Sequence, residues 1–294
     1  MARIRAVVER GDDRRRRPAA AGRSGLMQLD LLNGDLEDPA VGEYVPTPAW
    51  TVHHGDAFAW LAEQPDASVD HVICDPPYDE RTHKGARTAP RKQKFVGDLY
   101  TKEALPLGID FGCLPSADIG RLVIQCLRVS RRWVVCFCAV EMVGAYRDAA
   151  GGAWVRSGFW RRTDGAPQFT GDRPGQPGEA LAIMHRAGKK RWNGGGKHGF
   201  WVCGVERVDR CHPTQKPIKL MRQLVEDFTE PGELVADPFM GSGSTGAACV
   251  QLGRRFVGVE GDPKHVESAR ARMDAATLGL SLQEYRAGQT VLGL

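Results

Sequence analysis

The feature that most constrains the fold of this chain is a regular alternation of short apolar runs and amphipathic segments, which begins at Trp50. Apolar runs of strand length are typical of buried parallel strands, and the segments between them have the apolar spacing of helices. The predicted strands are residues 51–54, 70–74, 133–140, 234–236 and 256–259. The predicted helices are residues 57–64, a helix capped by Ser116, one opened by Pro217, residues 245–252, and a last helix capped by Asp262 and Pro263. This alternation predicts an α/β fold with a doubly wound sheet, right-handed crossovers and helices on both faces.

The composition narrows the class of protein further. A chain of 294 residues is long enough for one catalytic domain with insertions, and its formal charge of +4 permits a nucleic-acid partner without requiring one. The eight cysteines show no C-x-x-C pair and no spacing typical of zinc ligands. We therefore expect reduced thiols in a cytoplasmic protein, with no metal site and no membrane-spanning segment.

We predict three parts along the chain. Residues 1–48 mix basic and acidic patches and are expected to form a flexible N-terminal arm. Residues 49–280 form the predicted catalytic domain, and residues 281–294 a C-terminal tail.

The sequence Asp75-Pro76-Pro77-Tyr78 directly follows the apolar run that ends at Cys74. It combines a carboxylate, a backbone stiffened by prolines and an aromatic ring. An exocyclic amine on a flat ring has a delocalised lone pair, and it becomes nucleophilic when two acceptors draw its N–H groups out of the ring plane. Asp75 and the Pro76 carbonyl offer two such acceptors, and Tyr78 can stack on the ring. The alternative is a plain turn at the end of a strand, since Asp and Pro are common turn residues.

A glycine-rich loop, residues 237–246, lies between a predicted strand and a predicted helix. Gly241, Gly243 and Gly246 form the pattern G-x-G-x-x-G, which is typical of dinucleotide sites, and Glu260 at the next strand end can bind a ribose. Glycines here also allow backbone approach to any other cofactor that contains adenosine. The loop therefore indicates adenosine more strongly than a dinucleotide.

A third motif, His212-Pro213-Thr214-Gln215-Lys216-Pro217, directly precedes a predicted helix. Lys216 is well placed for a carboxylate, and a helix N-terminus favours the same charge. A simple helix-entry turn is the alternative.

Two cation-rich segments interrupt the alternation of strands and helices. The cations of the first, residues 80–111, that we assign to nucleic acid are Arg81, Lys84, Arg87, Arg91, Lys92 and Lys94. The residues of the second, residues 185–197, that we assign in the same way are Lys189, Lys190, Arg191, Trp192 and Lys197. Cations interleaved with an aromatic side chain suit a phosphate backbone, and we expect both segments to flank the Asp75 loop. A solvated surface loop is the alternative for each.

Four motifs in chain order resemble those of the β-class amino-methyltransferases of DNA. They are Gly55-Asp56-Ala57, Asp75 to Tyr78, His212 to Pro217, and Asp237 to Thr245, and the resemblance covers roughly residues 50–273. It implies a mostly parallel seven-stranded sheet of the Rossmann-like methyltransferase fold, circularly permuted so that the catalytic half precedes the cofactor half. It implies S-adenosyl-L-methionine as cofactor, double-stranded DNA as partner, a role in restriction–modification, and a small target-recognition insertion at about residues 171–210. Members of this family often form dimers, so the resemblance is compatible with a homodimer.

The resemblance also implies roles for individual residues. Asp75, Pro76, Pro77 and Tyr78 would hold the target amine and its base. The residues that would contact S-adenosylmethionine are Asp56, Ala57, Asp75, His212, Thr214, Lys216, Phe239, Gly241, Ser242, Gly243, Thr245 and Glu260. Within this set Glu260 would bind the ribose, Asp56 and Ala57 would contact the adenine, and Lys216 with Thr214 would lie near the methionine end.

The first residue of the catalytic tetrapeptide bears on the target base. In the resembled family Asp usually accompanies N6-adenine methylation and Ser more often accompanies N4-cytosine methylation. Asp75 therefore favours the N6 amine of a flipped-out adenine, with N4 of cytosine as the near alternative. Two other classes of protein are more distant alternatives. A dinucleotide-dependent oxidoreductase is indicated by the glycine-rich loop alone and gives Asp75 to Tyr78 no function. A DNA-binding protein without catalysis is disfavoured by the intact tetrapeptide and glycine-rich loop.

Overall fold

The core of the fold is one eight-stranded sheet in the computed structural model, which describes residues 49–78, 114–164, 171–206, 209–210 and 215–288. The strands are β1 (Trp50–His54), β2 (His71–Cys74), β3 (Trp133–Cys138), β4 (Trp154–Arg161), β5 (Gly178–His185), β6 (Phe200–Val202), β7 (Leu234–Asp237) and β8 (Arg255–Glu260). The α-helices are α1 (Ala57–Glu63), α2 (Ser116–Val129), α3 (Val143–Ala150), α4 (Ile218–Phe228), α5 (Ser244–Gln251), α6 (Pro263–Thr277) and α7 (Leu282–Arg286). None of these helices is long and apolar enough to cross a membrane.

The strand order in the sheet is β1-β8-β7-β2-β3-β5-β4-β6. Every neighbouring pair is parallel except the two pairs that contain β5, so β5 runs against the other described strands. The predicted doubly wound, mostly parallel sheet is confirmed. The described residues form eight strands where seven were predicted, because β6 adds a short parallel strand beside β4.

Helices cover both faces of the sheet because successive side chains of a strand point to opposite sides. In β2, Val72 and Cys74 join an apolar cluster with α1, α2 and α3, whereas Ile73 joins a second cluster with α4, α5 and α6. The apolar stripe predicted after Pro217 is the buried face of α4, and its members are Leu220, Met221, Leu224, Val225 and Phe228. Burial of each such side chain contributes roughly 1.5–3 kcal/mol, which holds α4 against the sheet.

Most of the predicted elements agree with the structure within a few residues. Asp262 caps α6 as predicted, and its side chain accepts a hydrogen bond from the Lys264 amide at 2.8 Å. Ser116 was predicted as a cap but is the first helical residue of α2, with Pro115 at the cap position. The predicted strand 133–140 ends at Cys138, because a 3₁₀ turn, Val140–Met142, follows it.

The predicted target-recognition insertion, at about residues 171–210, is partly built into the sheet. This interval contains β5 and β6, and β5 lies inside the sheet between β3 and β4. Seven of the eight residues of β5 are buried, so the strand belongs to the hydrophobic core. Only the connections on either side of these two strands remain as candidates for target recognition.

The predicted C-terminal tail begins with ordered structure. Ser281 and Glu284 form a capping box at the start of α7. The Asp209 carboxylate accepts hydrogen bonds from the amides of Leu282 and Gln283, at 3.0 and 2.8 Å. Residues 281–288 therefore pack with the catalytic domain, whereas residues 289–294 and the predicted arm, residues 1–48, lie outside the described residues.

Candidate active site

One cavity joins the two loops that the sequence singled out. Strands β2 and β7 are parallel neighbours, with Val72 opposite Ala236, so the segments that follow them leave the same edge of the sheet. After β2 the chain continues to β3, and after β7 it continues to β8, which lies in the opposite direction along the sheet. The strand order therefore reverses between β2 and β7, and ligands of open α/β sheets bind at such points. The cavity measures about 570 Å³. The predicted site residues that line it are Asp56, Ala57, Asp75, Pro76, Pro77, Tyr78, Lys216, Phe239, Gly241, Ser242, Thr245 and Glu260.

The Lys216 ammonium lies at the centre of a charged cluster in this cavity. Its Nζ is 2.5 Å from Asp75 Oδ2 and 3.0 Å from Glu179 Oε2, and the side chain is 7% exposed. The Tyr78 hydroxyl donates a hydrogen bond to the same Glu179 oxygen. Nζ also lies 5.0 Å from the centre of the Phe137 ring. One cation therefore balances two carboxylates, and the structure places Lys216 directly against the predicted catalytic carboxylate.

Burial and charge shift the pKa values of this cluster in different directions. Burial raises the pKa of Asp75, although Lys216 opposes the shift. Burial acts the same way on Glu179, but Lys216 and the Tyr78 hydroxyl outweigh it and lower the pKa of that carboxyl. Burial disfavours the charged form of Lys216, yet Asp75 and Glu179 together raise its pKa. Lys216 and Glu179 therefore stay ionised, and Asp75 is the carboxylate of the pair that takes up a proton more readily.

Two further carboxylates hold the glycine-rich loop. Glu260, at the end of β8, accepts hydrogen bonds from the amides of Gly241 and Asp262, both at 2.9 Å. Asp237, at the end of β7, accepts from the Thr245 hydroxyl at 2.6 Å and from the Phe239 amide at 3.0 Å. Asp237 is 2% exposed, and burial raises its pKa to about 7. Both carboxylates line the cavity, which gives its glycine-loop side an affinity for hydroxyl groups and cations.

The three glycines of the G-x-G-x-x-G pattern have different functions. Gly241 has φ +52°, lines the cavity and has open space where a Cβ would lie. At Gly243, φ is +83° and a Cβ would lie 2.7 Å from Met273 Cε, and at Gly246 it would lie 2.2 Å from the same atom. These two glycines therefore allow α5 to pack closely on α6. Gly243 does not line the cavity, and the space beside its Cα faces α6, so its predicted cofactor contact stays a prediction.

The second basic segment lies at the opposite edge of the sheet from Asp75. Because β5 runs backwards, its last residue, His185, pairs with Trp133 at the start of β3. The Trp133 indole donates to the Arg191 carbonyl at 2.5 Å, and Arg191 pairs at 2.6 Å with Glu233, which directly precedes β7. The prediction that residues 185–197 flank the Asp75 loop is therefore wrong.

Several side chains of that segment are used inside the fold. Lys197 pairs with the buried carboxylate of Asp227 at 2.8 Å. The Trp192 ring lies 5.0 Å from the Phe228 ring, centre to centre, and packs against the core. Of the five residues predicted to bind DNA here, Lys189 and Lys190 are exposed and have no ion pair among the described residues. Arg191, Trp192 and Lys197 thus have structural contacts within the fold, and their binding to DNA stays a prediction.

Eight of the predicted site residues belong to segments that the structure does not describe. His212 and Thr214 lie outside the described residues, and so do Arg81, Lys84, Arg87, Arg91, Lys92 and Lys94. In the described part of the chain, no group of three or more His, Cys, Asp or Glu side chains is placed to hold a metal ion.

The sequence analysis missed three carboxylates that line the cavity, Asp118, Glu179 and Asp237. Glu179 is the only half-buried residue of β5, and the available signal was a lone carboxylate ahead of the apolar run 180–184. Asp237 stood inside the quoted glycine motif but received no function. Its signal was a carboxylate directly after the predicted strand 234–236, the same position that Asp75 has after its strand.

Comparisons with known sequences give one family. The family model described as DNA methylase, of the N6/N4 methyltransferase type, matches residues 181–271. The type II methyltransferase M.HinfI of Haemophilus influenzae is 26% identical over 249 residues, which cover 76% of this chain and 68% of that protein. The type II methyltransferase M2.DpnII of Streptococcus pneumoniae is 41% identical over 71 residues, or 24% of this chain and 26% of that protein.

Comparisons with solved structures give the same fold. The crystal structure of the M1.HpyAVI–SAM complex superposes with a TM-score of 0.57 at 23% identity, covering 76% of this chain and 99% of that one. The PvuII DNA methyltransferase, described as cytosine-N4-specific, superposes with a TM-score of 0.55 at 15% identity, covering 83% and 96%. The family match, the sequence relatives and the solved structures agree, and this chain is similar in sequence and in fold to the N6/N4 DNA methylases.

Proposed function

We propose that this protein transfers a methyl group from S-adenosyl-L-methionine to the N6 amine of an adenine flipped out of double-stranded DNA. The observation that carries the proposal is the single cavity that Asp75 and the glycine-rich loop share. A DNA methylase needs a site for an amine acceptor and a site for an adenosine-containing cofactor within reach of each other. Strands β2 and β7 bring these two sites together as parallel neighbours.

The residues of the cavity fit the proposed cofactor. Its volume of about 570 Å³ is within the usual range for sites of small ligands. Glu260 offers carboxylate oxygens for ribose hydroxyls beside the open backbone of Gly241. Asp237 is a buried carboxylate with no ion pair among the described residues, and a cationic ligand would favour its charged form. When bound, S-adenosylmethionine supplies an electrophilic methyl group.

The Asp75 loop is suited to activate an exocyclic amine. One carboxylate oxygen, Oδ2, is held by Lys216, which leaves Oδ1 and the Pro76 carbonyl to accept the two N–H groups of the amine. Accepting both bonds localises the nitrogen lone pair. The ring of Tyr78, whose hydroxyl is anchored on Glu179, supplies a face for stacking on the extruded base. Catalysis then consists of positioning and electrostatics, with no covalent intermediate on the protein.

Adenine is the favoured base because the catalytic tetrapeptide begins with Asp75. The structural likeness to a cytosine-N4-specific methyltransferase makes N4 of cytosine the second candidate. Both reactions use the same two acceptors on an exocyclic amine, so the size and edge of the base decide between them.

The proposal also covers partners and location. A duplex hides its amines in base pairs, so the target nucleotide has to be extruded into the cavity. Six described cysteines are free thiols, which suits a reducing cytoplasm and a function in restriction–modification. The pairing of two copies stays a prediction, which light scattering on the purified protein would test.

The test is to incubate unmodified genomic DNA with the protein and S-adenosylmethionine, and then to analyse nucleosides by mass spectrometry and the sites by modification-aware sequencing. N6-methyladenine is the expected product, and N4-methylcytosine would replace the first candidate by the second. No methylated base with a folded, cofactor-binding protein would overturn the proposal. Asp148→Ala, which removes an exposed carboxylate of α3, is the matched control for Asp75→Ala in this assay.

A further inference from the structure

Glu179 contacts two groups of the proposed catalytic site, the Tyr78 hydroxyl and the Lys216 ammonium. A single oxygen, Oε2, accepts from the Tyr78 hydroxyl and lies 3.0 Å from Lys216 Nζ. Lys216 in turn holds Asp75 at 2.5 Å. Glu179, which belongs to neither the tetrapeptide nor the motif containing Lys216, thus adds a second connection between the stacking ring and the amine acceptor, beside the direct interaction of Tyr78 with Asp75.

A carboxylate at this position is unfavourable for packing alone. Glu179 leads directly into the buried apolar run 180–184 of β5, and its side chain is 18% exposed. Lys216 already has one carboxylate partner in Asp75, so a second adds a buried negative charge that a single ammonium must balance. An apolar residue would extend the core of β5 without this cost. Packing alone therefore does not explain a carboxylate at Glu179, which is better explained by a function in the cavity.

The reversed direction of β5 explains how Glu179 reaches the cavity. Ala180 of β5 pairs with Cys138, the last residue of β3, so the beginning of β5 lies at the edge where the parallel strands end. A strand in the same direction as its neighbours would present its last residues at this edge. Glu179 is thus held by a central strand and not by a loop, which gives it a fixed position relative to Tyr78 and Lys216.

We propose that Glu179 is a positioning residue for methyl transfer, which fixes the Tyr78 ring and the Lys216–Asp75 pair in one arrangement. This inference rests on the proposed function. With its hydroxyl anchored, the Tyr78 ring keeps one orientation for stacking. With its ammonium shared between two carboxylates, Lys216 keeps Asp75 Oδ2 occupied and Oδ1 turned to the amine. Loss of Glu179 leaves both catalytic groups present but free to reorient.

The experiment measures single-turnover methyl transfer from tritiated S-adenosylmethionine to unmodified genomic DNA. Glu179→Ala removes both bonds, and Glu179→Gln keeps an acceptor oxygen but removes the charge. Glu63→Gln, at an exposed position of α1, is the matched control. Each variant is also titrated with S-adenosylmethionine by calorimetry and unfolded thermally, so that folding and cofactor binding are read separately from activity.

We expect Glu179→Ala to lower the rate by about a hundredfold and Glu179→Gln by about tenfold, because small losses of alignment have large effects on rate. The affinity for S-adenosylmethionine should stay within about threefold of wild type, since Glu179 contacts no residue of the glycine-rich loop. Glu179 also raises the pKa of Asp75, together with burial and against Lys216 and Tyr78, while Asp237 faces Asp75 from β7. Glu179→Gln should therefore shift the acid limb of the rate profile to lower pH.

A double-mutant cycle with Tyr78→Phe decides whether Glu179 acts through the ring. If it does, Glu179→Ala costs several-fold less in the Tyr78→Phe background than in wild type. Equal losses in both backgrounds, or wild-type rates for the Glu179 variants, would overturn the inference. Should Glu179→Ala fail to fold, the same cycle is run with Glu179→Gln. A wild-type protein that methylates no DNA refutes the proposed function, whereas an active wild type with unaffected Glu179 variants refutes only this inference.

Discussion

Asp237→Asn should make the folded state more stable at alkaline pH, because it removes a buried carboxylate that has no ion pair in the part of the chain that the structure describes. Asp237 is 2% exposed, and its two hydrogen bonds, from the Thr245 hydroxyl and the Phe239 amide, leave its pKa raised from 3.8 to about 7. The folded protein therefore binds this proton more tightly than the unfolded chain. The stability that protonation contributes is complete below the unfolded pKa near 4 and is lost as the pH rises through about 7.

The magnitude follows from the size of the shift. A shift of about three units corresponds to about 4 kcal/mol as an upper bound, at about 1.4 kcal/mol per unit. Between pH 5 and pH 8 the wild-type free energy of unfolding should fall by about 2 to 3 kcal/mol from this group, whereas Asn has no charge to lose. An Asn side chain can still accept from the Phe239 amide and donate to the Thr245 hydroxyl, so both bonds survive.

The assay is urea unfolding of the cofactor-free protein at pH 5 and pH 8. The measured quantity is the change in unfolding free energy between the two pH values, compared for wild type, Asp237→Asn and the control Asp148→Asn. A flatter dependence for Asp237→Asn alone is expected, and equal changes for all three proteins would refute the reasoning. Calorimetry at pH 8 should show weaker binding of S-adenosylmethionine by Asp237→Asn, since the variant has lost its attraction for a cation.

Three other substitutions test separate parts of the structure. Gly246→Ala should destabilise the protein by about 1–3 kcal/mol in thermal unfolding, because the new Cβ would lie 2.2 Å from Met273 Cε. A more stable variant would show that α5 and α6 can move apart at no cost. Lys189→Glu combined with Lys190→Glu should leave the salt dependence of DNA binding unchanged, since these residues lie at the edge opposite the cavity. A decrease of about two in the slope of log affinity against log salt concentration would show that Lys189 and Lys190 do contact DNA. Asp75→Ala should lower tritiated-methyl transfer by about a thousandfold while cofactor affinity stays near wild type, and wild-type turnover would remove Asp75 from catalysis.

The local patterns of the sequence were sufficient for the half of the site built on parallel strands. The predicted strands before the two loops end within one residue of the ends of β2 and β7, and the structure shows that these two strands are neighbours. Strand ends are visible in a sequence because burial stops abruptly at a polar or proline residue. The positions where the two loops begin could therefore be predicted from the sequence.

The other half of the site depends on the direction of β5, which cannot be predicted from a local sequence pattern. A buried strand is apolar whichever way it runs, so the sequence could not show that Glu179 lies at the cavity and that His185 lies at the far edge. The same limit applies to Gly243 and Gly246. A pattern of glycines indicates close approach of backbone to something, but only the structure shows that this something is Met273 in α6.

The single reversed strand has a consequence for how such a protein can change its DNA target. The connection between β4 and β5 both departs from and returns to the rim above the cavity, because Arg161 ends β4 there and Gly178 begins β5 there. Residues can be added to this connection without altering a single pairing within the sheet. We therefore expect that a longer connection here changes which DNA sequence is contacted, while the sheet and the cavity beneath it stay the same.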